Sequence, residues 1–391
     1  MSSTSVKTFA STDPGAPALS GTAGALLPIL KTCLVDGRGA GAVATLVVAA
    51  GIATATYSAG HPFSGGSVGL FTGATPAGLN GEKRILTAST TAVTFDAAGI
   101  ADGAATGSIT SKLASAGWQQ LFGAASPANV LCLKPTVPEA TGCVLRIDDT
   151  GTLNARVRAY EAMTDASTGV GPTPLDSQLA GGIYWPKSST ASATARTGYL
   201  VADERGFYLA VAPAGSDRYT LLYTGDIASL KSGDAYGYLL TGNQGDQTNA
   251  STVPDGCCGY SGRSARGGAY LVRAHTAIGQ AIAAQRLGAH HNGATADVYA
   301  GTPGYSVGAY PNGPNNGLMT GALELHALGI RGTLPGLLHP VQDCGNAFAT
   351  GAIVDGTGDL AGRRLMAIRT GPPASGTIGT VFIDITGPWV R

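Results

Sequence analysis

Charge is what this chain has least of. Of its 391 residues only 12% are Asp, Glu, Lys or Arg, and the 24 acidic and 24 basic groups cancel. That is about half the charged share of an ordinary globular domain. Zero net charge with so few charged groups favours association, so the composition predicts a protein that lives assembled. The thin spread of Lys and Arg also excludes the basic stripes by which proteins hold nucleic acid. Arg263, Arg266 and Arg273 come nearest to a cluster and read as solvated edges of a strand and a loop.

Between Arg38 and Glu82 no charged residue occurs at all. The uncharged run from Gly39 to Gly60 is long enough to suggest a bilayer span, but it is too rich in Gly, Thr, Ser and Ala, and no membrane segment is expected. The opening MSSTSVKTFASTDPGAP has no basic region followed by an apolar core. No secretory leader is therefore read there, and synthesis and assembly in a cytoplasm are expected. Six cysteines, at 33, 132, 143, 257, 258 and 344, are too scattered for a disulfide framework in a chain of this size. They are expected to be free thiols. Cys132 and Cys143 alone flank a hairpin across which they could meet.

What is present is strand signal interrupted by turns. Val43 to Val48 and Ile52 to Tyr57 flank Ala49, Ala50 and Gly51 as a hairpin. Ser67 to Phe71, Lys83 to Leu86, Ala92 to Phe95 and Thr106 to Ile109 follow as short strands, with Leu79, Asn80 and Gly81 as a turn. These six strands predict a small β-sandwich or barrel over residues 39–111. The sequence on either side, ALLPILKTCLVDGRG and SKLASAGWQQLF, would join if the stretch were cut out. Residues 39–111 thus read as a domain inserted into a host made of residues 1–38 and 112–391.

The host is also mainly β. Val144 to Ile147 and Ala155 to Tyr160 flank the turn Asp148, Asp149, Thr150, Gly151. Further strands are read at Gly198 to Ala202, Phe207 to Ala212, Tyr219 to Tyr223, Tyr236 to Leu240, Ala269 to Arg273, Leu365 to Arg369 and Val381 to Ile385. One helix is predicted near the start, where Leu26, Leu27, Ile29, Leu30, Cys33 and Leu34 fall at helical spacing, Pro28 suits an early turn and Gly37 is a stop. It is expected to plug one side of the host sheet. His275 to Leu287 has helical propensity broken by Gly279 and stays undecided. The Gly- and Tyr-rich stretch from Gly288 to Asn316 reads as an irregular excursion that contacts a neighbour.

Chemistry is hard to find. His290 and His291 with Asp297 sit in no metal-binding frame, and the adjacent Cys257 and Cys258 cannot easily face one ion. Asp148 and Asp149 with Glu161 and Asp165 have the composition of a glycosidase acid and base, but turn formation and solvated faces account for them. Neither a phosphate-binding loop nor a nucleophile elbow is present. A non-enzymatic protein is expected, with no catalytic, cofactor or metal residues and no nucleic acid or membrane partner. The residues expected to contact another subunit or a carbohydrate are Tyr184, Trp185, Tyr305, Tyr310 and Trp389. The last stands two residues from the chain end, where it packs only if the terminus docks on the host or on a neighbouring copy. Met1 to Gly21 reads as an arm that orders against an adjacent subunit.

Four segments carry a resemblance: VKTFASTDPGAPALSGTAGALLPILKTCLVDG, VLRIDDTGTLNARVRAYEAMTDASTGVGPTP, SGDAYGYLLTGN, and LAGRRLMAIRTGPP through TVFIDITGPWVR. In this order they resemble a family of structural proteins of tailed bacteriophages. The insert, VATLVVAAGIATATYSAGHPFSGGSVGLFTGATPAGLNGEKRI through VTFDAAGIADGAATGSI, is similar to an immunoglobulin-like β module that recurs in phage virion proteins. The resemblance implies a virion protein of the tail, neck or baseplate working through symmetric subunit contacts, assembled in the host bacterial cytoplasm. Its partners would be copies of itself and other virion proteins. Capsid decoration is one alternative; a tail protein that binds or cleaves a host surface polysaccharide is another.

Overall fold

The computed structural model describes residues 3–123, 127–246, 258, 260–261, 267–287, 298–299, 308–313, 315–371 and 379–391. It is 45% strand and 6% helical, built of curled antiparallel sheets that form half-barrels, with one short helix near the N-terminus.

The largest sheet has twelve strands. Its main path runs Lys7–Ala10, Gly198–Ala202, Gly206–Val211, Thr220–Asp226, Tyr238–Asn243, Ile183–Pro186, Asn154–Tyr160, Val144–Asp148, Val130–Pro135 and Trp118–Gly123, and Gly267–Leu271 with Ile282–Ala283 branches from Tyr238–Asn243. Curling brings its two wings face to face. Phe9, Leu200, Leu209 and Leu222 of one wing share a core with Leu133, Leu145, Ile147 and Val157 of the other. The predicted helix fills the space between them: Leu26–Lys31 continues as a π-helical turn, Thr32–Asp36, and buries Leu26, Leu30, Cys33 and Leu34 in that core. It stops at Gly37, where φ is 70° and a Cβ would lie 2.2 Å from the Leu113 carbonyl.

A second sheet joins Gln285–Leu287, Thr320–His326, Ile330–Pro340, Gly379–Asp384, Arg364–Thr370 and Ile353–Asp355, with Ala228–Ser229 pairing Ile330–Pro340. It covers the outer face of the first: Tyr208, Leu221, Tyr223 and Leu239 pack with Leu323, Leu325, Leu337, Ile368, Val381 and Ile383. Gly206–Val211, Thr220–Asp226 and Tyr238–Asn243 are consequently buried at every position.

All eight strands of the third sheet come from residues 38–113, in the order Arg38–Ala42, Thr110–Leu113, Val68–Thr72, Gly81–Ala88, Ala92–Asp96, Ile52–Thr56, Thr45–Ala49 and Gly103–Ala104. The first hairpin turns at Ala50 and Gly51, both with positive φ. The register slips inside Gly81–Ala88, between Ile85 and Thr87, and such irregularities bend a sheet. Phe71 meets Phe95 at 4.7 Å in a core of its own. Arg84 ties this sheet to the host: its guanidinium donates to the carbonyls of Ser3, Val6 and Thr386 at 2.7–3.2 Å, and also to the nearby Gly66 carbonyl at 2.7 Å. Lys7 pairs with Glu82 at 3.0 Å.

Several expectations change. Thr106 to Ile109 is not a strand; Thr106 forms one isolated bridge to Thr75, and pairing resumes at Thr110. His275 to Leu287 holds two short strands and no helix, because Ile282–Ala283 pairs with the apolar Tyr270 and Leu271. The N-terminal segment orders within its own chain, Lys7–Ala10 pairing in register with Gly198–Ala202. Cys132 and Cys143 do not meet, since they belong to separate cores. Cys33, Cys132, Cys143 and Cys344 are free and buried, and burial pushes their thiols up, to about 11 for Cys132 and about 12 for the others. Cys257 and most of 288–316 lie outside the described residues.

Trp389 docks on its own chain. Its indole N–H donates to the Asp384 carbonyl at 2.8 Å, its ring meets Tyr208 edge-on at 5.4 Å, and Gly336, with φ 70°, leaves no room for a Cβ beside it. Gly336→Ala is expected to lower stability by about 2–3 kcal/mol through backbone strain and displacement of the indole. In denaturant titrations its effect should be less than additive with Trp389→Ala. Deleting residues 40–110 is expected to leave the host sheets folded with a lower melting temperature, as the Arg84 and Glu82 contacts go; a chain without cooperative melting would contradict this.

Candidate functional site

The five residues read as contacts do not converge. Trp185 is 1% exposed. Its indole N–H donates to the Thr241 carbonyl at 2.8 Å, and its ring stands at 89° to Phe207, which Trp118 meets from another side. No face of Trp185 remains for a sugar, and the stacking role expected of it is corrected to core packing. Tyr184, the next residue along the strand, is half-buried with the Arg156 guanidinium 3.7 Å above its ring. Tyr310 packs at 4.9 Å against Phe348, Trp389 is buried as described, and Tyr305 lies outside the described residues.

The four carboxylates are likewise separately engaged. Asp148 caps Thr150 at 2.7 Å, and Asp165 accepts the N–H groups of Ser167 and Thr168, which hold its carboxyl below the usual range. Glu161 accepts from Arg273 at 2.8 Å. Asp149 is fully buried: its Oδ2 accepts the Leu26 N–H at 2.7 Å and its Oδ1 touches Lys187 Nζ. Lys187 also donates to the carbonyls of Thr22 and Gly151, both at 2.8 Å. Burial raises the Asp149 carboxyl above its ordinary value, against the pull of Lys187 and Leu26. Sequence reading placed Asp149 in a turn and overlooked Lys187, because a single Lys after Pro186 gives no signal of burial.

Among the described residues no three His, Cys, Asp or Glu gather as for a metal, and no helix is long and apolar enough to cross a membrane. His290, His291 and Asp297 fall outside the described residues.

Among the described residues several large apolar side chains are exposed, three of them close to one buried ion pair. Arg331, buried with Asp234 at 2.6 and 2.7 Å, also donates to the Arg273 carbonyl. Around this anchor stand Leu230, whose N–H donates to the Arg331 carbonyl, and Leu328 and Ile330 at the hairpin tip beside it. They are 68, 72 and 42% exposed. A buried salt bridge thus holds a rigid base beneath apolar groups that point into solvent. Sequence reading missed this rim because Leu328 and Ile330 sit in an unrecognised hairpin.

Comparison with protein-family models and with curated proteins returned no match.

Trp185→Ala is expected to lower stability by about 3–5 kcal/mol, the cost of emptying a large core site. Thermal or denaturant melts check this, and a stability change below about 1 kcal/mol would return the ring to the surface.

Proposed function

We propose that this chain is a non-enzymatic structural protein of a tailed-bacteriophage virion, acting in the tail, neck or baseplate through symmetric contacts with its own copies and with other virion proteins. The observation that carries this reading is the apolar rim of Leu230, Leu328 and Ile330 on a chain of zero net charge. Solvated monomers seldom concentrate large apolar groups on a rigid base, whereas interfaces do. The four segments that resemble tailed-phage structural proteins point the same way, and residues 38–113, with their own core, suit an inserted β module that adds surface or subunit contacts. Burial of Trp185 and the cover of Arg156 over Tyr184 weigh against a carbohydrate platform on that strand.

The first test is to separate heads from tails of purified particles and identify this chain by mass spectrometry. It is expected with tails; recovery with heads would make it a decoration, and absence from both would overturn the structural role. Leu328→Asp, at a position largely exposed to water in the isolated subunit, is expected to leave the melting temperature within a few degrees while weakening self-assembly by at least tenfold, roughly the cost of desolvating one charge at an apolar contact. Sedimentation of the two proteins across a concentration series checks it.

A further inference from the structure

We propose that Lys187 and Asp149 are joined in the folded protein by an intramolecular amide bond that forms without any other reactant. The two side chains are in direct contact and both are 0% exposed. Asp149 Oδ1 is in contact with Nζ and accepts no hydrogen bond from any other group. Nζ also makes two good hydrogen bonds, to the Thr22 and Gly151 carbonyls, at 2.8 Å each. A neutral amine has two N–H bonds and one lone pair. With both hydrogens directed at these carbonyls, the lone pair is left on the side of the Asp149 carboxyl.

The carboxyl is prepared as well. Its Oδ2 accepts the Leu26 N–H at 2.7 Å, at the start of the helix, where a backbone donor stabilises charge that develops on a carbonyl oxygen. Burial also favours the neutral form of the Asp149 carboxyl.

The step balances within the pair. Transfer of one proton from the ammonium to the carboxylate gives amine and acid. Nζ attacks Cγ, the tetrahedral Oδ2 is held by the Leu26 N–H, and the Cγ–Oδ1 bond breaks. Oδ1 leaves as water, carrying the acid proton and one proton from Nζ. The amide N–H that remains keeps one of the two carbonyl partners. The product fastens the loop after Val144–Asp148 to the residue following Ile183–Pro186, beneath the start of the helix. Such a cross-link restricts the unfolded chain as a disulfide does, without dependence on redox conditions. It goes beyond the virion reading and stands or falls independently of it.

Mass spectrometry of the full-length, denatured chain tests the proposal. The expected mass is below that of the sequence by one water. Trypsin is expected to spare the bond after Lys187 and to yield a branched peptide joining residues 147–156 to 159–196. Asp149→Ala is expected to carry the full mass and to be cut after Lys187. A wild-type chain at full mass that trypsin cuts after Lys187 overturns the proposal, whether or not the variant folds.

Discussion

The architecture depends on three strands that have no solvent face. Gly206–Val211, Thr220–Asp226 and Tyr238–Asn243 are buried on both sides, so the chain must supply a layer above and a layer below them. Below, the twelve-stranded sheet curls and the helix fills the hollow; above, the C-terminal sheet lies across Tyr208, Tyr223 and Leu239. Several polar groups in these strands are satisfied internally, although the buried Asn243 side chain makes no hydrogen bond. The Thr241 hydroxyl bridges the Tyr223 backbone at 2.6 and 2.9 Å, and Tyr208 donates to the Pro335 carbonyl at 2.8 Å. That last bond crosses from one sheet to the other, so it fixes their registration as well as satisfying a phenol.

Both chain ends are drawn into this arrangement. Lys7–Ala10 completes one edge of the large sheet, Trp389 closes over Tyr208, and Arg391 pairs with Asp203 while its Nε donates to the Asp226 carbonyl. Arg84 then gathers carbonyls from both terminal segments. A guanidinium with five donors in a fixed fork suits such a hub.

Much of this was legible in the sequence, and the reason differs by element. The doubly buried strands stand out as continuous apolar runs, as strands covered on both faces must. The helix was readable because its apolar positions follow the helical period and Gly37 ends it. Ile330–Pro340 was not, since Gly332, Pro335 and Gly336 are residues that ordinarily break a strand; here Gly336 makes room for Trp389, and Tyr208 binds the Pro335 carbonyl. The candidate contacts were the least legible. An aromatic on a strand carries the same signal whether it faces water or core, and only the curl of the sheet turns Trp185 inward. Lys187 and Asp149 are 38 positions apart in the chain, and nothing local announces that they meet.

The scarcity of charge looks different once the pairs are placed. Arg331 with Asp234, Arg391 with Asp203 and Arg205 with Asp226 each place at least one partner in the interior. Such pairs are weak sources of stability, because desolvation offsets their attraction, but they fix where segments meet. A chain already poor in charge therefore commits part of it to fastening helix, termini and sheets, and its outer surface is more neutral than the composition alone implies. Neutral surface with exposed Leu230 and Leu328 would favour the self-association proposed above. The same use of charge that holds the fold together thus leaves few charged groups on the exterior to oppose the proposed assembly.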